Sequence, residues 1–140
     1  MGIKFFFNNV SFKLLQRKKL KAFIEDIFKK EIKALLSLNY IFCNDDFLLS
    51  INQEFLNHNQ YTDIITFSLS QPEKPIEGEI YISTDRIKHN AVHLGEDKNI
   101  ELHRVIFHGA LHLCGYKDKT KADKERMTFA ENKYLSKYFS

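Results

Sequence analysis

Apolar and polar positions alternate in two distinct rhythms along this chain, and the rhythm changes often enough to divide it into elements. Ile3 to Asn8 is an apolar run broken only by Lys4 and closed by Asn8 and Asn9, so it is predicted as a strand. From Lys18 to Leu36 the period lengthens. Leu20, Phe23, Ile24, Ile27, Phe28 and Ile32 recur three or four apart with charges between them, which predicts one amphipathic helix. Asn39–Cys43 is a short aromatic and β-branched strand. Asn44, Asp45 and Asp46 then offer an N-cap to a helix holding Phe47, Leu48, Ile51, Phe55 and Leu56, and Asn57 to Tyr61 is a polar loop. Asp63–Ser70 is rich in β-branched residues and reads as a strand, followed by a loop over Gln71–Glu77 with Pro72 and Pro75. Gly78–Ser83 alternates apolar and polar as a half-buried strand does. Ser83 or Thr84 caps a helix to about Leu94, where Gly95 stops it. Asp97 opens a further helix through Ile100 to Leu113, stopped by Gly115. The last helix covers Thr120 to Tyr138, with Thr120 and Asp123 as a capping box. These elements predict an α+β fold: a single domain over residues 1–140, with about four strands in a mixed sheet packed by several helices.

Composition supports a packed globule of one-domain size. The 140 residues are 44% hydrophobic and 28% charged, and thirteen Phe and six Tyr supply core bulk in the absence of Trp. No segment approaches the roughly 18 apolar residues that span a bilayer. The Ile3–Phe7 run is too short for a signal-peptide core. The expectation is therefore a cytoplasmic chain with no membrane partner. Its two cysteines, Cys43 and Cys114, are expected reduced and packed in the core.

Net charge is +3, but it is unevenly spread. Residues 1–33 balance to +6, residues 34–116 to −6, and residues 117–140 to +3. The basic ends are a candidate surface for a polyanion such as RNA; the competing reading is a solvated face of Lys-rich helices.

Candidate chemistry lies in residues 108–118, HGALHLCGYKD. His108 and His112 are four apart on a predicted helix, so both imidazoles leave one face and can close on one small cation. Gly115 ends that helix and lets the chain turn back, which brings Asp118 round as a third ligand. Three protein ligands with one open position is the pattern of catalytic zinc, whereas structural sites are closed by four. Nitrogen and oxygen donors without thiolate suit Zn²⁺, one per chain, with Ni²⁺, Co²⁺ or Mn²⁺ as other divalent candidates. His89 and His93 repeat the same spacing, but Gly95 separates them from Glu96 and Asp97, and they are read as exposed helix residues. His58 and His103 are read in the same way. Zinc peptidases carry Glu directly after the first histidine of the pair as general base. Here that place is Gly109, which disfavours peptidase chemistry. Glycine inside a helix costs about 1 kcal/mol relative to alanine. Gly109 therefore predicts close packing, or a close approach to the backbone, near the metal.

The same residues resemble a known family, the YbeY-type endoribonucleases, bacterial rRNA maturation factors. Their signature H-G-x-L-H-L-x-G-Y-D-H is matched by residues 108–118. Their second motif, L-N-x-x-Y-R-x-x-D-x-P-T-D-V-L-S-F, is matched without a gap by INQEFLNHNQYTDIITF at 51–67, with Asn52, Thr62, Asp63 and Phe67 identical. A third segment, EGEIYIS at 77–83, is similar to the family's glycine-acid-strand stretch. The resemblance implies a zinc-dependent, single-strand-specific endoribonuclease acting in 16S rRNA 3′-end maturation and ribosome quality control. It also implies precursor 16S rRNA and the small ribosomal subunit as partners. His108, His112 and Asp118 would hold the metal and act through its water, whose pKa zinc lowers to about 7. Thr62 and Asp63 would line the site, Asp63 orienting water or a ligand histidine. Three positions depart from the family. Asp118 replaces the third histidine, Lys117 the aspartate before it, and Leu56 the arginine of the second motif; Lys117 is a candidate to supply the missing cation. Two other classes stay open: a metal-dependent hydrolase of another substrate class, and a non-catalytic ribosome-assembly factor with a structural metal.

Overall fold

The computed structural model describes residues 2–140. Its strands are β1 (Gly2–Phe7), β2 (Leu35–Cys43), β3 (Ile64–Ser68) and β4 (Ile76–Ser83). Its helices are α1 (Arg17–Lys30), α2 (Asp45–Leu56), α3 (Thr84–Leu94), α4 (Lys98–Leu113) and α5 (Lys121–Tyr138). The strands form one mixed sheet in the order β1-β2-β4-β3. β1 and β4 run parallel to β2, and β3 pairs antiparallel with β4, Ile64 facing Ile82 and Ser68 facing Gly78. The fold is α+β, as the alternation of periods predicts.

Period-two alternation sorts the sheet residues between two cores. Leu38, Tyr40, Phe42, Ile80 and Ile82 join the main core beneath α1, α4 and α5. Cys43, Ile65 and the partly buried Phe67 and Tyr81 pack with Leu48 and Ile51 of α2 in a smaller cluster. Both cysteines are buried, as expected, and burial pushes each thiol up to about 12, so neither is reactive.

Four N-caps stand where the polar residues predict. Asn44, Ser83, Asp97 and Thr120 each accept a backbone N–H of the helix they open, and Thr120 with Asp123 closes the full capping box. Four boundaries differ. β3 stops at Ser68, where its pairing with β4 ends, and β4 begins at Ile76, which pairs with Leu35 of β2. The first helix ends at Lys30 instead of Leu36, and β2 starts at Leu35 instead of Asn39. Lys33 N–H donates to Phe28 O and Ile32 N–H to Lys29 O, the bond pair of a Schellman ending. The left-handed residue of that ending is Ile32, with φ of 57° and 89% of its surface exposed. It leaves the apolar face to which its spacing assigned it.

α4 is the central helix. It touches α1, α3, α5, β3 and β4, so most of its circumference is covered. His103, read from the sequence as exposed, is 1% exposed and stacks on Tyr138 with Phe139 across its edge. Tyr138 of α5 and the following Phe139 cover that side of α4, a contact between residues distant in sequence.

Candidate metal centre

The middle of α4 sits directly on the sheet. A Cβ at Gly109 would lie 2.8 Å from Ile80 Cδ1 and 3.0 Å from Ile64 Cδ1, so the glycine lets the helix seat close against β4 and β3. This is the close packing that Gly109 predicts. His108 and His112 leave the adjoining face into a cleft of about 600 Å³ between α4, the start of β3 and α5. Beyond Leu113 the chain caps at Cys114 and reverses at Gly115, whose φ of 107° few residues but glycine adopt. Tyr116 fixes the reversal: its hydroxyl donates to Glu31 Oε1 at 3.0 Å, and Tyr134 of α5 donates to Glu31 Oε2 at 2.6 Å. The turn therefore delivers Asp118 to a definite place. Asp118 Oδ2 lies 3.2 Å from His112 Nε2 and 3.5 Å from His108 Nε2, and one ligand atom from each of the three residues falls within 4.8 Å of the others.

These separations suit a metal. Ligand atoms about 2.0–2.1 Å from a tetrahedral ion lie roughly 3.3 Å from one another, so two of the three spacings already match. The donor set is two imidazole nitrogens and one carboxylate oxygen. Asp118 keeps 44% of its side chain exposed, which leaves the outer side of the group open.

Behind the histidines is a carboxylate that the sequence reading missed. Glu131 of α5 is 7% exposed and takes a hydrogen bond from His108 Nδ1 at 2.6 Å. A carboxylate on Nδ1 fixes the tautomer that presents Nε2 to the cleft. Burial alone would lower the His108 pKa, but the hydrogen bond and charge of Glu131, with Asp118 and Asp63 behind it, hold it above the ordinary histidine value. Arg104, one turn before His108, donates through Nη1 to Asn132 Oδ1 at 2.9 Å and to Glu131 Oε1 at 3.4 Å. Its Nε lies 3.8 Å from Glu101 Oε1. Asp63 lines the same cleft, half-buried beside Ile64, and accepts a hydrogen bond from Asn90 at 3.2 Å. Burial raises its carboxyl above the ordinary value, against the opposing pull of His108.

A family model described as "Endoribonuclease YbeY" matches residues 6–139. The chain belongs to the YbeY family. A curated relative of that name from Cytophaga hutchinsonii is 48% identical over 134 residues, covering 96% of this chain and 94% of its own length. Another, from Porphyromonas gingivalis, is 42% identical and covers 95% and 87%. Among solved structures, the solution structure of TM1509 from Thermotoga maritima superposes with a TM-score of 0.68 at 28% identity, covering 98% of this chain and 89% of that one. This member of the YbeY family brings His108, His112 and Asp118 together, with Thr62 and Asp63 on the wall of the same cleft. His89 and His93 stay exposed on α3 and stack on each other, and His58 is exposed in its loop. The lysine that stood as a candidate cation is placed elsewhere: Lys117 lines a different hollow with Glu31, Gly115 and Asp123. Leu56 lies at the exposed end of α2, outside the cleft lining. Of the orienting roles expected of Asp63, toward water or toward a histidine, the hydrogen bond to His108 is made by Glu131 instead. A signal for Glu131 was present: with Met127, Ala130, Tyr134, Leu135 and Tyr138 it forms the buried stripe of α5, and an acid on such a stripe demands a partner.

Proposed function

We propose that this chain is a zinc-dependent endoribonuclease that cuts single-stranded RNA. In this reading it acts in the cytoplasm on precursor 16S rRNA at the small ribosomal subunit, in 3′-end maturation and ribosome quality control. Residues 1–140 act as one hydrolase domain. The observation that carries the reading is the convergence of His108, His112 and Asp118 in an open cleft, in a chain whose family model is named for RNA cleavage. His108, His112 and Asp118 hold the ion, and Glu131 keeps His108 in the tautomer that points Nε2 outward. When bound, a divalent ion offsets charge on a phosphoryl oxygen and acidifies water at neutral pH. Asp63 is the proton acceptor of this scheme, because it lines the cleft and burial raises its carboxyl toward the range where general bases work. Three protein ligands leave a position for substrate, and the exposure of Asp118 favours that arrangement over the closed site of a structural metal.

The test is cleavage of one sequence as single strand and as duplex, beside casein, each with and without chelator. The single strand alone should be cut, chelator should abolish the cut and zinc should restore it. Cleavage of casein, or intact RNA with metal-loaded protein, refutes the reading.

A further inference from the structure

The walls of the cleft carry an imbalance of charge. Four carboxylates line it, from Asp63, Glu101, Asp118 and Glu131, and among the described residues no lysine does. Among the described residues Arg104 is the one permanent cation in the lining. A phosphodiester entering such a cleft is repelled by these carboxylates and attracted by this guanidinium and by an ion held at His108, His112 and Asp118.

Arg104 is placed for the task. It sits four residues before His108 on α4, so the two side chains leave the same face about one turn apart, about 6 Å along the axis. Its guanidinium is held in place by Asn132 and Glu131 at Nη1 and by Glu101 near Nε, and none of these contacts uses Nη2. A quarter of the side chain, 26%, remains exposed. An anchored planar fork with a free edge is the arrangement that receives phosphate oxygens with little loss of side-chain entropy.

We infer that Arg104 binds a phosphate of the RNA backbone beside the metal ligands and sets the register of the strand in the cleft. The endonuclease reading above supplies the identity of this ligand. The experiment uses zinc-loaded protein and a short single-stranded RNA with phosphorothioate linkages, which keep the charge of each phosphate and resist hydrolysis. Affinity is measured over a range of salt. Arg104→Gln should bind about tenfold more weakly. The slope of log affinity against log salt should become shallower by about 0.7, the value of one phosphate contact on a single strand. Zinc content should stay at the wild-type level. Arg104→Lys keeps the charge but not the fork, and should restore the slope with an intermediate affinity. Wild-type affinity and slope in a zinc-loaded Arg104→Gln protein overturn the inference. So does loss of zinc in that variant, which would reassign Arg104 to supporting Glu131. If Arg104→Gln does not fold, Arg104→Lys decides alone: several-fold weaker binding at an unchanged slope supports the inference, and wild-type binding overturns it. A wild type that binds the probe but leaves unmodified RNA intact refutes the endonuclease reading, while Arg104 is still judged on affinity.

Discussion

Asp118 stands where the family signature ends in histidine, yet its Oδ2 reaches both imidazole Nε2 atoms. Carboxylate oxygen and imidazole nitrogen bind zinc at nearly equal distance. Asp118→His should therefore keep about one metal per chain, as measured by elemental analysis of folded protein. Absence of metal would show that Asp118 is not a ligand. Glu131 is the second test at this scale. Glu131→Gln leaves an amide where a buried carboxylate held His108 and Arg104, and metal affinity should fall about 10- to 100-fold. Competition with a fluorescent chelator reads this directly, and unchanged affinity would mean His108 needs no partner. The convergence of His108, His112 and Asp118 was legible in the sequence because helical spacing and a glycine stop are local facts. The partnership of Glu131 with His108 was not, since it requires knowing that α5 folds back on α4, and Arg104, though at helical spacing from His108, gains its anchors Glu131 and Asn132 only from α5.

At the scale of elements, the same division between local and distant causes holds. Asn44, Ser83, Asp97 and Thr120 announce their helices because a cap is made within three residues of itself. The end of α1 was hidden because isoleucine takes the left-handed position that glycine usually marks. His103 was misplaced because its neighbour in space, Tyr138, is distant in sequence. That burial has a consequence for stability. His103 Nδ1–H donates to the Asn99 carbonyl, and Nε2 has no partner among the described residues. Burial lowers its pKa, the Asn99 bond opposes this, and Lys19 adds to the lowering. The unfolded chain then takes up the proton more readily than the folded one. The contribution of His103 is whole above the unfolded pKa of about 6.5 and is lost as pH falls through it toward the lower folded value. Thermal melts from about pH 7.5 to about pH 5 should fall less steeply for His103→Phe than for wild type, and equal slopes would refute this.

At the scale of the molecule, charge and architecture must be set against each other. The basic first segment folds into α1, which packs on β1 and α4, and β1 is the sheet edge opposite β3 and the cleft. None of its lysines lines the cleft, and Lys19 and Lys21 lie over the rings of Tyr138 and Phe5. If RNA tracks along the basic ends, Lys18, Lys19 and Lys21 changed together to Glu should weaken binding for all RNA sequences and flatten its salt dependence, with metal content unchanged. An identical salt slope would make α1 only a solvated face. Among the described residues, no helix is long and apolar enough to cross a membrane. The central claim is that His108, His112 and Asp118 hold one catalytic metal. Its most direct test is metal content per chain in the wild type, His112→Ala and His89→Ala, each confirmed folded. About one metal in the wild type and in His89→Ala, with none in His112→Ala, is the expected result. Stoichiometric metal retained in His112→Ala, or lost equally in His89→Ala, would contradict it.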